Sequence, residues 1–498
     1  MRNNRKWKIG ALAGVLALVL VLSACSGTGG KSKSEGIGEL DREDEGTLKV
    51  AYFDEQAFYM QYGNAFQAMF PNVKMEVVAL ESVFNAADPV AEMEKLVGEQ
   101  RPDVLYLTEE QYAALAEKGL LYDLDAAVKQ DQFDLDSFQP SVIELLKTRG
   151  GGKLYGLSPN FSSQALYYNK DMFDKYNIPY PTDGMSWEEA LQLAARFPVQ
   201  KDGDEATFGL MQPSQTQDLF SLVRTIGEAK GLLYADADSG TVSIDSPEWK
   251  AIFQAVVDGY KSGSISMPSS GSGGGGRGMA LSVRGAGGGQ TFSFGPDSMK
   301  FMMGQAAMTI DGSMLLEMMK MNAGGEGARM SISVPAAGEG GKQGGEPKPR
   351  AIEGFEWDLA TVPVDPSQPD VMGGISLGSI FAINAASENL PAAWELIKYI
   401  NGEQLAKTST MSSPTLSART AYKKAEDGKN IDAFYRLGVN EQALLQSLPA
   451  GFADSFAQMA SGLIKQVVEE SATLDDALAQ IQSQGQDMLT KADLAAGE

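Results

Sequence analysis

TLKVAYFDEQAFYMQYGNAFQAMFPNVKMEVVAL, residues 47–80, contains two apolar, strand-like runs on either side of a segment with helical apolar spacing. Pro71 ends the helical segment, because a proline cannot continue the helical hydrogen-bond ladder. A second helix is predicted over about 89–99, and DVLYL (103–107) is typical of a short, buried parallel strand. This β-α-β-α-β order predicts a parallel sheet with helices on both faces, and therefore an α/β protein.

Strands and helices continue to alternate further along the chain. AAMTI (306–310), WDLATVPV (357–364) and ISLGSIFAINA (375–385) are predicted strands, and the tail from 430 to 495 is predicted to be mostly helical. Ser186 and Ser246 each precede a helical pattern at the N-cap position. These signals extend the α/β assignment over the whole chain.

Charge and composition exclude several classes of function. The chain has 498 residues and a formal net charge of −24, so the phosphates of a nucleic acid would repel it. It contains no histidine, which excludes Ser-His-Asp triads, histidine-based zinc sites and a histidine general base. Paired carboxylates remain available for chemistry, but the composition favours a binding protein over an enzyme.

The one cysteine of the chain lies in a leader-like region. Residues 2–8 include the basic side chains Arg2, Arg5, Lys6 and Lys8. An uncharged apolar run of 14 residues (9–22) follows. Such a run is too short to span a membrane, which takes about 20 residues, and is typical of a secretory signal. Leu22-Ser23-Ala24-Cys25 resembles a bacterial lipobox, and this resemblance implies a signal peptide over 1–24 and a diacylglyceryl group on Cys25. An ordinary signal peptide with an accidental cysteine is the alternative.

Residues 25–46 have almost no large apolar side chains and are predicted to be a flexible tether between lipid and domain. Roughly 450 residues then remain, enough for two or three domains by the usual length of a domain. The protein is therefore expected on the outer face of the bacterial cytoplasmic membrane.

Two segments depart from globular composition, 269–296 and 322–350, and their glycine-richest parts are 271–289 and 324–345. Both are predicted to be flexible surface loops. GSGGGG at 271–276 matches the GxGxxG pattern but does not lie between a strand and a helix start, so dinucleotide binding is not expected. Neither a metal nor a cofactor is predicted.

Four blocks carry a family resemblance: RPDVLYLTEEQYAALAEKGLL, ALYYNKDMF, AAMTIDGSM and GSIFAINAASENLPAAWELIKYINGEQ. In this order behind a lipobox, they resemble the extracellular solute-binding proteins of ABC importers, in the maltose-binding-protein-like group. The resemblance covers about 47–420. It implies a type II periplasmic-binding-protein-like fold, in which two interleaved α/β lobes close on a ligand at hinge crossings.

Carried onto this chain, the resemblance implies crossings near 162–165, 308–313 and 375–380. Lobe one is then expected at 47–162 and 311–376. Lobe two is expected at 165–308 and 379–498. The ligand cleft should lie where the carboxyl ends of the strands approach the crossings.

The candidate ligand-binding residues are the hydroxyl, amide, carboxylate and glycine positions at those strand ends and crossings, with Trp357 as an aromatic candidate. They are Asp54, Glu55, Thr108, Glu109, Ser162, Ser163, Gln164, Gln212, Thr216, Gln217, Asp311, Ser313, Trp357, Gly374 and Ser376. Such polar groups hydrogen-bond sugar hydroxyls. Each of them has an alternative role as a turn residue or helix cap.

The chain departs from the maltose-binding pattern in its aromatic positions. Leu107 and Met314 stand where those relatives have stacking tryptophans, and Ser162 stands where they have a carboxylate. Any aromatic platform for a sugar must therefore come from other residues. The candidates are Phe53, Phe58, Phe161 and Trp357.

Three functions remain open. The first is a monomeric binding protein that delivers a carbohydrate or similar polar solute to the membrane subunits of an ABC importer. The second is a lipoprotein that presents its closed, ligand-bound state to a sensor or scaffold partner. The third is a carboxylate-pair enzyme acting on glycans, with acids drawn from Asp54, Glu55 and Asp311.

The lipobox interpretation is tested by Cys25→Ser. We expect the variant to lose its acyl modification and its membrane association, because serine lacks the thiol that the lipid modifies. Fractionation and mass spectrometry of the N-terminal peptide measure both. A variant that still carries lipid and still sediments with membranes would contradict the interpretation.

Overall fold

The computed structural model describes most of the chain from residue 37 onward. The predicted tether 25–46 is too long at its end, because Ile37 is buried and its carbonyl accepts from the side-chain amide of Gln130 over 2.8 Å. The structure covers residues 37–200, 207–212, 218–237, 239–268, 279–285, 288–294, 300–323, 329–334, 348–409, 415–423, 428–440, 448–449 and 451–496. Within these ranges the chain forms two α/β lobes, each built on its own central sheet. The predicted fold class is confirmed.

The first lobe is built on a five-stranded sheet. Across the sheet the strands are β2 (Val73–Ala79), β1 (Gly46–Tyr52), β3 (Val104–Leu107), β17 (Ile380–Ile383) and β4 (Gly156–Leu157). β1 runs parallel to both β2 and β3, as the β-α-β-α-β pattern predicts, whereas β17 runs antiparallel to its neighbours. All four residues of β3 are buried, because helices cover both faces of the sheet.

Nine helices of the described residues belong to this lobe. They are α1 (Glu55–Phe58), α2 (Asn64–Met69), α3 (Glu81–Phe84), α4 (Pro89–Gln100), α5 (Glu109–Glu117), α6 (Asp125–Gln130), α7 (Pro140–Arg149), α13 (Leu390–Ile400) and α14 (Glu403–Ser409). A π-helical turn, Tyr59–Gly63, joins α1 to α2. Asp88 caps α4 ahead of Pro89, and Thr108 forms a capping box with Gln111 at the start of α5.

The second lobe is built on a four-stranded sheet. Its order is β15 (Trp357–Thr361), β6 (Gln164–Asn169), β12 (Ala306–Gly312) and β7 (Phe208–Met211). β6 runs antiparallel to β12 and β15, and β12 runs parallel to β7. A small hairpin, β8 (Ala235–Asp236) and β9 (Thr241–Val242), lies beside the helices of this lobe.

The helices of the second lobe are α8 (Lys170–Tyr176), α9 (Trp187–Ala194), α10 (Phe220–Ala229), α11 (Pro247–Ser262), α12 (Ser313–Ala323), α15 (Phe452–Val468) and α16 (Leu474–Ala496). Ser186 caps α9 in a capping box with Glu189, and Ser246 caps α11, as the sequence predicts. α15 packs against α10 and α11, so the helical tail completes this lobe.

The strand pairing corrects the predicted lobe boundaries. β15 pairs with β6, so the segment 311–376 contributes to the second sheet and not to lobe one. β17 pairs with β3, and α13 packs on β1 and β17, so the segment after 379 returns first to lobe one. The crossing expected at 308–313 is also wrong, because β12 stays paired with β6 through Gly312.

The glycine-rich segments also differ from the prediction of flexible loops. Four strands of the described residues form a separate antiparallel sheet in the order β11 (Gly288–Phe294), β10 (Met279–Gly285), β13 (Arg329–Val334) and β14 (Lys348–Ala351). β13 contacts α12, which joins this sheet to the second lobe. Much of 271–289 and 324–345 lies outside the described residues.

Short pairings connect the lobes. β5 (Asn160–Phe161) pairs with β18 (Leu416–Ser417), and β16 (Val371–Met372) pairs with β19 (Gly438–Val439). Two 3-10 turns, Thr420–Tyr422 and Ile431–Phe434, accompany the last passage of the chain toward the second lobe. In the part of the chain that the structure describes, no helix has both the length and the apolar character that a membrane span needs.

Candidate ligand-binding cleft

The cleft-side edges of the two sheets meet at a short pairing of two chain crossings. The amide of Ser162 donates to the carbonyl of Ser376 over 2.8 Å, and the amide of Ser376 donates back over 3.0 Å. Beyond Ser376 the chain enters β17, whose first residue pairs with Leu107 at the carboxyl end of β3. Beyond Ser162 the chain enters β6, whose first residue, Gln164, pairs with Gly312 at the carboxyl end of β12. The strand ends of both lobes therefore border one cleft.

An aromatic wall lines this edge on the first lobe, formed by Phe53, Phe84 and Tyr106. The Phe53 and Phe84 rings stack at 4.8 Å with an interplanar angle of 16°, and Phe53 lies 4.8 Å from the Tyr106 ring. Phe53 is 42% exposed and Phe84 is 39% exposed, which is unusual for large apolar rings. The Tyr106 hydroxyl donates to the carbonyl of Gly378 over 2.8 Å, and this bond ties the wall to the crossing.

The polar candidates of the first lobe divide into helix caps and accessible groups. The Asp54 carboxylate accepts from the amide of Ala57 and caps α1, while remaining exposed. Glu55 is exposed directly beside it. The Thr108 hydroxyl accepts from the Gln111 backbone amide and so caps α5, which leaves its hydrogen to donate. Asp54 and Glu55 are therefore the accessible acceptors next to the aromatic wall.

Glu109 has a second role at the crossing. One of its carboxylate oxygens accepts from the buried Leu377 amide over 2.5 Å, and the other lies 3.5 Å from Nε of Arg149. Burial raises the pKa of the Glu109 carboxyl, and the Leu377 amide and Arg149 oppose that effect. This carboxylate joins α5 to the segment between Ser376 and β17, so it holds the hinge in addition to bordering the cleft.

On the second lobe, four candidates lie together at the ends of β6 and β12 and at the crossing. Gln164 and Gly374 are close neighbours, and a Cβ on Gly374 would lie 2.8 Å from Oε1 of Gln164. Asp311 is half-buried, and its carboxylate accepts from the Gly312 amide over 2.7 Å. Ser313 is buried at the start of α12, but the next residue, Met314, is 52% exposed.

Other candidates lie away from open solvent. Gln212 is buried, and its amide nitrogen donates to the Tyr260 hydroxyl inside the second lobe. Trp357 is buried in β15, with the Lys429 ammonium 4.7 Å from its ring. Ser163 is also buried, as are the proposed platform residues Phe58 and Phe161. Of the four platform candidates, only Phe53 is exposed. Thr216 and Gln217 lie outside the described residues.

Sequence reasoning missed Phe84 and Tyr106. Phe84 ends the short helix α3, five residues beyond β2, and Tyr106 is the third residue of β3. Their signal was present, because aromatic residues near the carboxyl ends of neighbouring parallel strands fall at one edge of the sheet. The described residues contain no group of three or more acidic, cysteine or histidine side chains arranged to hold a metal ion.

Comparison with known proteins identifies the family. The family model described as bacterial extracellular solute-binding protein matches residues 61–435. A putative binding protein of Brucella abortus is 25% identical over 266 residues, which are 51% of this chain. That match spans 56% of the relative, so the chain spans little more than half the length of the curated relatives it matches.

Solved structures share the fold at low sequence identity. A sugar transporter from Rhizobium etli in an open conformation has a TM-score of 0.58 and 20% identity, covering 89% of this chain and 99% of the other. The sugar-binding protein MalE from Xanthomonas citri has a TM-score of 0.59 and 16% identity, covering 91% and 99%. An ABC substrate-binding protein from Listeria monocytogenes, in complex with cycloalternan, has a TM-score of 0.54 and 18% identity, covering 90% and 100%.

The hinge role of Glu109 is separable from a role in ligand binding. Glu109→Ala should lower the free energy of unfolding of the ligand-free protein by about 1–3 kcal/mol, because the buried Leu377 amide loses its acceptor. Glu109→Gln keeps an oxygen at that position and should cost less. Urea unfolding measures both variants. Equal stability of Glu109→Ala and the unmutated protein would contradict the hinge role.

Proposed function

Since this chain belongs to the bacterial extracellular solute-binding protein family, we propose that it captures a carbohydrate or similar polar solute between its two lobes. We further propose that it delivers this solute to the membrane subunits of an ABC importer. The observation that carries the proposal is the exposed aromatic wall, which lies beside exposed carboxylates at the edge that borders the crossing.

The chemistry of this edge matches that of a sugar. A sugar ring has apolar C–H faces, which pack on aromatic rings, and hydroxyls around its rim, which donate to carboxylates. Phe53 and Phe84 supply the ring surface, and Asp54 and Glu55 supply accessible acceptors next to it. Structural relatives in complex with cycloalternan, D-mannitol and α-D-tagatose support carbohydrates and polyols as the solute class.

Closure of the lobes is the proposed signal for delivery. A ligand favours the closed state only if it binds that state more tightly than the open state, so it must contact both lobes. On the second lobe the residues at the same edge include Gln164, Asp311 and Met314. The membrane subunits would then recognise the closed, loaded form.

The location of the protein is part of the same proposal. A lipid on Cys25, with the residues before the buried Ile37 as a tether, would hold a monomeric domain at the outer face of the cytoplasmic membrane. Binding without turnover is proposed as well. The Asp54 carboxylate caps α1, which supports a structural and ligand-binding role over that of a catalytic acid.

The proposal is tested on the aromatic wall. A thermal-shift screen with maltose, acarbose, D-mannitol and D-tagatose should raise the melting temperature with at least one sugar, because the ligand binds only the folded state. Calorimetry with that sugar should then show binding weakened about 2- to 10-fold in Phe53→Ala and in Phe84→Ala, since ring contacts contribute about 0.5–1.5 kcal/mol.

Met69→Ala is the matched control. Met69 is a similarly exposed apolar residue of the first lobe, 37% exposed, and it precedes β2 at the opposite edge of the sheet. It should leave sugar affinity unchanged. Affinity that is unchanged in both phenylalanine variants would remove the wall from the site, and a protein that binds no carbohydrate would contradict the proposed function.

A further inference from the structure

A small cavity lies on the second-lobe side of the crossing. Its volume is about 70 Å³, and its walls include Gln164, Thr225, Glu228, Ile310, Val362 and Gly374. Gln164 and Gly374 each stand two residues from the paired serines of the crossing. Gly373, the next wall residue, is exposed. The cavity therefore adjoins the cleft edge of the second sheet.

The polar groups of the cavity are mainly acceptors. Glu228 offers carboxylate oxygens. The Thr225 hydroxyl donates its one hydrogen to the carbonyl of Ser221 over 2.9 Å, so toward the cavity it can only accept. Gln164 adds an amide, whose Oε1 lies close to Gly374. The wall also includes Trp187, whose buried indole N–H has no hydrogen-bond partner among the described residues. A bound group that both accepts and donates, as a hydroxyl does, therefore fits this wall best.

Glu228 stands in an unfavourable position for stability. It is the penultimate residue of α10, where the negative end of the helix dipole disfavours a carboxylate. Burial raises the pKa of its carboxyl, and Arg224, whose Nε lies 3.7 Å away, opposes that effect. The side chain nevertheless stays about one-third exposed. A carboxylate kept accessible in a concave, unfavourable place is typical of a binding site.

The charge of Arg224 favours a neutral donor over a cation. Arg224 already partly compensates Glu228, so an ammonium group would meet a carboxylate with a cation beside it. Neutral hydroxyls are not repelled by the Arg224 charge, and they donate strong hydrogen bonds to an ionised oxygen. The observations therefore favour a sugar or polyol over an amine in this cavity.

The size of the cavity limits what enters it. An apolar cavity of about 150 Å³ holds benzene, so about 70 Å³ is too small for a sugar ring. It has room for a hydroxymethyl group or a pair of hydroxyls. The ring itself would stay outside the cavity, in the cleft.

Gly374 keeps the cavity open. A Cβ on Gly374 would lie 2.8 Å from Oε1 of Gln164 and 3.0 Å from Cε of Met372, so a side chain there would displace the Gln164 amide. At Gly373 a Cβ would meet a carboxylate oxygen of Glu228 at an ordinary contact distance of 3.7 Å. Gly374 does not have a positive φ, so its role here is space and not backbone conformation.

We propose that this cavity is a hydroxyl subsite of the cleft, in which Glu228, with Gln164 and Thr225, accepts hydrogen bonds from the hydroxyl-bearing edge of a bound sugar. The subsite rests on the proposed carbohydrate-binding function and adds a specificity-determining carboxylate to it. It also gives the second lobe the differential contact that closure on a sugar requires.

The test is calorimetry with maltose, acarbose, D-mannitol and D-tagatose, and with spermidine as a cationic probe. The sugar that the unmutated protein binds most tightly is titrated into Glu228→Gln and Gly374→Val. Glu228→Gln should bind it about 10- to 100-fold more weakly, as expected for the loss of a hydrogen bond to a charged group. Gly374→Val should also weaken binding, because its side chain fills the cavity and displaces the Gln164 amide. The melting temperature of ligand-free Glu228→Gln should stay the same or rise, because an unfavourably placed charge is removed.

Glu469→Gln is the matched control. Lys465 and Glu469 form an exposed pair at 3.8 Å with the same four-residue spacing as Arg224 and Glu228, at the end of α15. This variant makes the same charge change and breaks the same kind of pair, but it leaves the cavity intact. Its sugar affinity should equal that of the unmutated protein.

The outcomes distinguish the subsite from the proposed function. If the unmutated protein binds a sugar and Glu228→Gln binds it equally well, the subsite is wrong and the carbohydrate function stands. If Glu228→Gln loses affinity only together with a lowered melting temperature, the carboxylate is structural and the subsite is wrong. If spermidine binds and none of the sugars does, both the subsite and the carbohydrate function are overturned.

Discussion

Two backbone hydrogen bonds between Ser162 and Ser376 hold the chain crossings side by side, and the geometry of the candidate site depends on them. They bring the start of β6 next to the segment that leads into β17, so the carboxyl ends of β1 and β3 come to border those of β7 and β12. In open α/β sheets this is the edge where ligands bind, because loops there are free to vary while the strands stay fixed. Side-chain contacts from Glu109 and Tyr106 to the same segment reinforce the arrangement.

The two lobes present different chemistry to the cleft. The first lobe contributes stacked rings with accessible carboxylates beside them, and the second contributes an amide, carboxylates and a small cavity. An aromatic wall alone would bind many apolar surfaces. Hydrogen-bond acceptors alone would stay bonded to water. A sugar satisfies both at once, and it can satisfy both only when the lobes approach each other. The specificity and the conformational change therefore have the same origin in the proposed account.

Local signals in the sequence predicted local structure well, and non-local pairing was less accessible. The strand at 47–53, the helix beginning at Pro89 and the caps Ser186 and Ser246 follow from neighbouring residues, and the structure confirms them. The predicted lobe boundaries are wrong because β15 and β17 pair with strands more than 180 residues away in the sequence. Apolar periodicity does not encode such pairing. For the site, sequence position identified strand ends, but it did not show that Gln212 and Trp357 point into packed interior. Glu228 was missed because it lies at a helix end and not at a strand end.

A carbohydrate that binds between the lobes should close them. The most direct measurement is the distance between spin labels on Lys74→Cys in lobe one and Asp475→Cys in lobe two, in a Cys25→Ser background. Both side chains are about 70% exposed, so the labels need not disturb the fold. Addition of a sugar that binds should shift the distance distribution to a single, shorter distance. A sugar that binds by calorimetry but leaves the distance distribution unchanged would contradict ligand-driven closure.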